Sequence, residues 1–306
     1  MWSPEWYEAL ATSRYVVANN HLPDWFQKRE GQVVVQTWHG TPPLKKIGHD
    51  IEAIHFADQR YLERVEKEVQ NWDMLVSPQQ LLDPHSQARL RFSRRDGGVR
   101  VPAQRHPAPP PRHGPAGTGD PPPDRPARGA SASSCTPPTW RDDQFYAPGK
   151  YKLDFRIDLA DARARLGADH VLLVRRHPNV VDPVPGGAGD GFVFDVSDYP
   201  DMADLSLITD VMITDYSSLM FDYVNTGRPI LFFTYDLDHY RDTLRGFYFD
   251  FERSAPGPLV YTSQELVAAI RDIDRIQDAY AERYQWFQRE FCDLDDGYAS
   301  ARLADR

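Results

Sequence analysis

The sequence predicts an α/β protein made of two doubly wound halves with a cleft between them. Three observations carry this: short apolar runs that end in polar residues, amphipathic stretches of helical period between them, and chemically versatile side chains at the ends of several runs. In chain order, Ser3-Pro4-Glu5-Trp6-Tyr7 reads as a turn where such a half normally opens on a strand, so an upstream strand or two is expected to be missing. Tyr15-Val16-Val17-Ala18 reads as a strand with Asn19-Asn20 as its loop, and Gln32 to Gln36 as the next. Between Ile54 and Trp72, Phe56, Tyr61, Leu62, Val65 and Val69 recur at helical spacing with charges on the other face, and Met74-Leu75-Val76 follows as a strand. Beyond Tyr151 the alternation is cleaner. Helices are expected over Ala160 to Leu166, over Met202 to Ile208, from Leu219 to Thr226 with Gly227 as C-cap, from Ser263 to about Ile273, and over Asp278 to Phe291. Strands are expected over His170 to Val174, Phe192 to Val196, Val211 to Thr214, Pro229 to Thr234 and Leu259 to Tyr261.

A chain of 306 residues, 41% of them hydrophobic, has the length and apolar content for two domains with real cores. The formal charge of −10 argues against general nucleic-acid binding, so an anion site must be local, built by Lys45-Lys46 and Arg175-Arg176. No apolar stretch approaches a membrane span and the first residues do not form a signal peptide, so a cytoplasmic protein is expected. Cys135 and Cys292 make neither a disulfide framework nor a metal site, and no carboxylate or histidine spacing demands a metal or a cofactor.

The residues at the strand ends point to phosphate chemistry. His39 follows the run Val33-Val34-Val35 in Gln36-Thr37-Trp38-His39-Gly40-Thr41, at the edge where α/β proteins bind ligands, and its imidazole can exchange a proton near neutral pH. A capping histidine would occupy the same place without doing chemistry. The run ending at Val174 leads into Arg175-Arg176-His177-Pro178, and the run ending at Ile213 into Thr214-Asp215-Tyr216-Ser217-Ser218. Ser217 and Ser218 precede a helical stretch and are placed to hold a phosphate, or simply to cap that helix; Asp222 lies on its first turn, where it also suits the helix dipole.

Between Ser86 and Pro138 the composition changes. Twelve of the 26 prolines fall here, while Lys, Glu, Ile and Tyr are absent, so this stretch cannot bury enough apolar surface to offset its ordering entropy. A disordered Pro/Arg/Gly-rich linker is one reading.

Five fragments support another. His39-Gly40-Thr41-Pro42, Leu44-Lys45-Lys46-Ile47-Gly48, Pro138-Thr139-Trp140-Arg141-Asp142, Arg176-His177-Pro178 and Thr214-Asp215-Tyr216-Ser217-Ser218 occur in one order. Together they resemble the CDP-glycerol glycerophosphotransferase family of teichoic-acid synthesis, over roughly Ser3 to His85 and Pro138 to Phe291. That family carries a Gly-Tyr-Pro-Arg-Asn-Asp segment and a strand like Val-Val-Leu-Tyr-Ala-Pro ahead of Pro-Thr-Trp-Arg, and this chain has neither. Both can be written in a displaced frame. Val101-Pro102-Ala103-Gln104-Arg105-His106 as GTA CCC GCG CAA CGA CAC, started one base later, reads Tyr-Pro-Arg-Asn-Asp; Ser133-Ser134-Cys135-Thr136-Pro137 as TCG TCC TGT ACG CCC, started one base earlier on a G and run into the CC of the next codon, that of Pro138, reads Val-Val-Leu-Tyr-Ala-Pro. The segment from about Gln87 to Pro138 is therefore expected to be translated out of frame, at the expense of a central strand and of an arginine that the resemblance places in the donor site.

The resemblance implies a GT-B-like fold of two Rossmann-like domains, the N-terminal one truncated and interrupted: residues 1–85 on the acceptor side, 86–138 disordered or out of frame, and 139–306 as the nucleotide-donor domain. It implies transfer of glycerol phosphate from CDP-glycerol to a hydroxyl of a lipid-linked poly(glycerol phosphate) acceptor, with release of CMP, at the cytoplasmic membrane face to which the protein would be peripheral. His39 would be the base and His177, with Arg175 and Arg176, would neutralise phosphate charge as CMP leaves. Gly40, Thr41, Thr139, Arg141, Ser217, Ser218 and Asp222 would bind the donor. The pair Pro42-Pro43 departs from the family's single proline and shifts Lys45 and Lys46 relative to His39. A ribitol-phosphate transferase, a nucleotide-sugar glycosyltransferase and an inactive remnant that retains nucleotide binding are the alternatives.

Overall fold

The computed structural model describes residues 3–37, 44–51, 60–76, 131–135, 141–186, 191–293 and 296–305. His39, Gly40, Thr41 and Thr139 lie outside them, as does nearly all of the Pro/Arg/Gly-rich stretch.

The chain opens on a helix, α1 (Pro4–Thr12), where a turn was expected. The signals are local: Ser3 accepts a hydrogen bond from the Trp6 N–H as N-cap, and Pro4 stands in the first turn, where its missing donor costs nothing. Strands β1 (Tyr15–Ala18), β2 (Val33–Gln36) and β3 (Met74–Leu75) form a parallel sheet in the order β1-β2-β3. Helix α2 (Tyr61–Val69) makes the crossover from β2 to β3. Val34, Val65, Val69, Trp72 and Phe26 form its core, and each such side chain contributes about 1.5–3 kcal/mol by leaving water. Asp73 fastens β3 to this core, accepting from the Val34 N–H at 2.8 Å and from the Lys28 ammonium at 2.7 Å.

The larger sheet has six parallel strands. These are β4 (Ser131–Cys135), β7 (His170–Val174), β8 (Val193–Asp195), β9 (Val211–Thr214), β10 (Ile230–Phe233) and β11 (Leu259–Val260), in the spatial order β11-β10-β9-β4-β7-β8. A two-stranded antiparallel ribbon, β5 (Phe145–Ala147) and β6 (Lys150–Tyr151), lies between β4 and β7 in sequence. The chain winds outward from β4 through β7 to β8, then returns to the other side of β4 and winds outward again through β9, β10 and β11. Helices α3 (Leu159–Leu166), α4 (Met202–Ile208), α5 (Leu219–Tyr223), α6 (Ser263–Arg271) and α7 (Ile273–Phe291) complete the layers. One core cluster joins Leu172, Val174, Ile213, Leu231, Leu266 and Ile270; the other joins Met212, Phe221, Phe232, Phe251, Phe287 and Phe291. Gly227 stops the helical run after α5 with φ 73°, as expected, while the start of α6 at Ser263 is capped one residue earlier, by Thr262 in a reciprocal capping box with Glu265.

Strand β4 corrects the expectation that this central strand would be lost. Residues 131–135 pair in register with β7, Ser131 opposite His170 through Cys135 opposite Val174, and with β9, Ser133 opposite Val211 through Cys135 opposite Ile213. Without a strand here the backbone donors and acceptors of β7 and β9 would face each other unpaired inside the sheet, and any backbone can supply the missing ladder. Yet the strand reads Ser-Ala-Ser-Ser-Cys, whereas interior parallel strands are ordinarily β-branched and apolar, as in His-Val-Leu-Leu-Val and Val-Met-Ile-Thr on either side.

A short strap, residues 44–51, joins the N-terminal part to the larger sheet's domain. Leu44 is buried in the aromatic core cluster, Lys45 pairs with Phe247 as an antiparallel bridge, and Lys46 N–H donates to the Gly246 carbonyl at 3.1 Å. The Tyr248 N–H donates to the Leu44 carbonyl at 2.9 Å, while its hydroxyl accepts from the Ile47 N–H and donates to Asp50 at 3.0 Å. Gly246, at φ +67°, lets the strap close: a Cβ there would meet the Lys46 stem at 2.9 Å.

Candidate functional site

Because β4, β7, β9 and β10 are parallel, the loops that follow them lie along one edge of the sheet, and the reversal of winding at β4 opens a crevice at that edge. The described residues there are Arg141 beyond β4, Arg175-Arg176-His177 after β7, Asp215-Tyr216-Ser217-Ser218 after β9, and Tyr235-Asp236 after β10.

Arg141 is the organising charge. It is 2% exposed, and its Nη1 donates to Asp215 at 2.9 Å, its Nε to Asp236 at 2.5 Å, and its Nη2 to the other Asp236 oxygen at 2.8 Å. The guanidinium lies 4.9 Å from the Tyr240 ring centre and 5.4 Å from those of Tyr216 and Tyr235. Burial opposes its charge, but Asp215 and Asp236 outweigh burial and raise its pKa. Tyr216 donates to Asp236 at 3.1 Å and stacks on Tyr240 with ring centres 4.1 Å apart. Burial, then Asp236 and Asp215, push the Tyr216 hydroxyl pKa upward, so it remains a hydrogen-bond donor. Beside this cluster Arg245 donates to the buried Asp142, with Nη2 to Oδ1 at 2.8 Å.

The β9 loop is therefore held from below. Asp215 and Tyr216 are buried in the Arg141 cluster, while Ser217 and Ser218, next in the loop after β9, are half-buried. Ser217 Oγ accepts from the Leu219 N–H at 3.3 Å, whereas Ser218, at the N-cap of α5, makes no side-chain cap bond. Asp222 is exposed on α5.

After β7, Arg175 donates through Nη1 to the Tyr199 carbonyl and Arg176 through Nη1 to the Val180 carbonyl at 2.8 Å. The Arg176 Nε is buried without a hydrogen-bond partner among the described residues. His177 is exposed; its Nδ1 accepts from the Asn179 N–H at 3.1 Å, which in the neutral ring leaves the proton on Nε2. Sequence reasoning passed over Asp215 as a structural partner although it lies inside a quoted motif. It also passed over Asp236, Tyr240 and Arg245, for which no local signal exists.

Among the described residues no cluster of histidine, cysteine and carboxylate groups has the makings of a metal site, and no helix is long and apolar enough to cross a membrane. A cavity of about 230 Å³ opens at the amino end of β10, near Gly227, Pro256, Tyr280 and Tyr284. It lies on the opposite edge from the polar loops and has no charged group in its lining, so it does not suit a phosphate-bearing ligand.

Parallel strands whose carboxyl-end loops gather arginine, histidine and serine define an α/β protein of mixed layers with a polar crevice at the winding reversal. A family described as CDP-Glycerol:Poly(glycerophosphate) glycerophosphotransferase matches residues 1–95 and 136–306, and the chain belongs to it. The chain is 37% identical over 322 aligned positions to a teichoic acid glycerol-phosphate transferase of Staphylococcus aureus (strain NCTC 8325 / PS 47), covering 98% of this chain and 77% of that protein. It is 36% identical over 330 positions to a teichoic acid poly(glycerol phosphate) polymerase of Bacillus subtilis (strain 168), covering 99% of this chain and 41% of that protein. The solved structure of the wall teichoic acid polymerase TagF superimposes with a TM-score of 0.77 at 29% identity, covering 99% of this chain and 74% of that one. A TagF variant soaked with CDPG gives a TM-score of 0.78 at 29% identity, covering 99% and 74%.

Proposed function

We propose that this chain transfers glycerol phosphate from CDP-glycerol to the terminal hydroxyl of a lipid-linked poly(glycerol phosphate) acceptor and releases CMP. The observation that carries the reading is the reversal of winding at β4, because the loops beside it are those that present Arg175, Arg176, His177, Ser217 and Ser218. The strand order of the larger sheet matches that of a Rossmann-like domain, and with the smaller parallel sheet it supports a GT-B-like arrangement: residues 1–85 on the acceptor side and 139–306 on the donor side, with the interrupting segment of 86–138 ending before β4, whose residues 131–135 belong to the donor-side sheet.

In the reaction the acceptor oxygen attacks the phosphorus that carries glycerol, the bond from that phosphorus to the bridging oxygen breaks, and CMP leaves with the electron pair. His39 would take the hydroxyl proton. The Nε2 proton of His177, with Arg175 and Arg176 beside it, would stabilise charge on the departing phosphate. Ser217 and Ser218 would donate to diphosphate oxygens, and Asp222 would accept from a donor hydroxyl. Gly40, Thr41 and Thr139 would complete the donor loops. Arg141 contributes by position, since its donors already serve Asp215 and Asp236. An acceptor tied to a lipid would put the work at the cytoplasmic membrane face, with the protein peripheral to it.

A second reading has its own observation. The Ser-Ala-Ser-Ser-Cys composition of β4, and a family match that stops at residue 95 and resumes at 136, favour a product with an out-of-frame insert that retains nucleotide binding without transfer. Incubating the purified chain, and a frame-restored version, with CDP-glycerol or CDP-ribitol and a lipid-linked acceptor, then following CMP release, separates these readings. Release from CDP-glycerol by the restored chain alone favours the remnant reading for the present one. Release by neither sinks the transferase proposal.

A further inference from the structure

Lys45 is a cation that the structure carries to the junction of the two parts and, among the described residues, leaves without an anion of its own. The strap sets its position through backbone bonds, the Lys45–Phe247 bridge and the Lys46–Gly246 and Tyr248–Leu44 hydrogen bonds, none of which uses the Lys45 side chain. Its ammonium stands 5.9 Å from the Tyr240 ring centre; Tyr240 stacks on Tyr216, and Tyr216 precedes Ser217. Among the described residues Lys45 makes no hydrogen bond and no ion pair. The carboxylates that face it are already committed, Asp215 to Arg141 and Asp142 to Arg245.

Among the described residues, the charges that act on Lys45 are Arg245, Asp215, Asp142 and Arg141. Its pKa is lowered to about 8, chiefly by loss of water and then by Arg245 and Arg141, with Asp215 and Asp142 opposing the fall. A half-buried ammonium with its charge disfavoured gains by meeting an anion whose oxygens replace the lost water.

We propose that Lys45 is an additional anion-binding residue of the transfer site, its ammonium taking a phosphoryl oxygen of the substrate. The assignment rests on the glycerophosphate-transfer reading for the identity of that substrate. The shared chemistry is a phosphoryl anion, which either the nucleotide diphosphate or the acceptor phosphodiester can bring. Binding then restores the ammonium, so the complex takes up a proton near pH 8 that the free protein has partly released.

The experiment uses the full chain and needs no turnover. Lysines are labelled at pH 8 by reductive dimethylation and mapped by peptide mass spectrometry, alone and with inorganic pyrophosphate or sn-glycerol 3-phosphate. Lys45 should label severalfold faster than Lys46, and a ligand should slow Lys45 at least fivefold while Lys46 and Lys150 are unaffected. Protection by pyrophosphate assigns the contact to the donor, and protection by glycerol phosphate alone assigns it to the acceptor. Protection by neither overturns the proposal. Lys45→Met should weaken pyrophosphate binding about tenfold and abolish the proton uptake measured in buffers of different ionisation enthalpy, with Lys45→Arg retaining affinity within about threefold; equal affinity in all three proteins overturns it. If pyrophosphate protects Lys45 but CDP-glycerol neither binds nor releases CMP, the anion site stands and the glycerophosphate reading falls.

Discussion

Arg141 and Asp236 are joined by two parallel hydrogen bonds, Nε to one carboxylate oxygen at 2.5 Å and Nη2 to the other at 2.8 Å, across a sequence separation of 95 residues. Asp215 takes the remaining face of the same guanidinium. One buried side chain thereby fixes the loops after β9 and β10 against the segment that follows β4, and the seryl pair above it inherits that rigidity. Such a fork requires a planar guanidinium; an ammonium offers point charge without the paired geometry.

Arg141→Met is accordingly expected to cost about 3–5 kcal/mol, because it leaves the buried Asp215 carboxylate and the partly buried Asp236 carboxylate uncompensated. Arg141→Lys should recover only part of this. Urea unfolding of the variants measures it, and a loss below about 1 kcal/mol for Arg141→Met would show that the pair is hydrated rather than buried.

Ser218→Ala is expected to leave stability unchanged within about 0.5 kcal/mol, since the Ser218 hydroxyl makes no cap bond, while weakening CDP-glycerol binding. Ser217→Ala removes the bond to the Leu219 N–H as well and should cost about 0.5–1 kcal/mol. Parallel thermal melts and calorimetric titrations check both. A Ser218→Ala protein that melts early but binds normally would assign the hydroxyl to the fold.

Gly246→Ala should loosen the strap. The left-handed backbone at φ +67° costs a side chain about 1–2 kcal/mol, and the new methyl group meets the Lys46 stem at 2.9 Å. Amide exchange reads the effect directly: the Lys46 and Tyr248 N–H groups should lose protection while β10 keeps it.

The pH dependence of stability carries the signature of Lys45. Its pKa is lowered to about 8 from an ordinary 10.5, chiefly by loss of water, so between those values the unfolded chain holds more proton and this residue makes stability rise with pH. Below pH 8 the ammonium is charged in both states and the full cost of desolvation is present. Lys45→Met should therefore melt a few degrees higher than the parent at pH 7, with the advantage fading towards pH 10. An advantage that grows with pH would reverse the assignment.

Nucleotide sequencing of the region coding for residues 87–138 tests the frame directly. Codons that yield Tyr-Pro-Arg-Asn-Asp and Val-Val-Leu-Tyr-Ala-Pro when displaced are expected, and restoring the frame should raise the unfolding temperature, because an apolar strand would replace Ser-Ala-Ser-Ser-Cys between β7 and β9. Codons that give neither motif would leave the insert as a genuine part of the protein.

Much of the fold was legible from runs and caps. Val211 to Thr214, Ile230 to Phe233 and the helix start at Ser263-Gln264-Glu265 announce their elements because period, β-branching and capping are local properties of the chain. Ser3-Pro4 was equally local evidence of a helix start, overshadowed by the expectation that a parallel half opens on a strand. β4 was illegible for the opposite reason. Its residues have no strand pattern, and only the open edges of β7 and β9 call for a ladder there.

The sequence by itself determined the α/β class, the family and the strand ends that carry histidine, arginine and serine, because motifs and periodicity are written in consecutive residues. Tertiary structure decided the order of strands, the reversal at β4 and the partners of each charge. Arg141 is a buried clamp on Asp215 and Asp236, and Lys45 an ammonium without an anion among the described residues, through contacts with residues about seventy to two hundred positions away. Electrostatic environment is a property of space, set by which charges and how much water surround a group, and consecutive residues do not encode it.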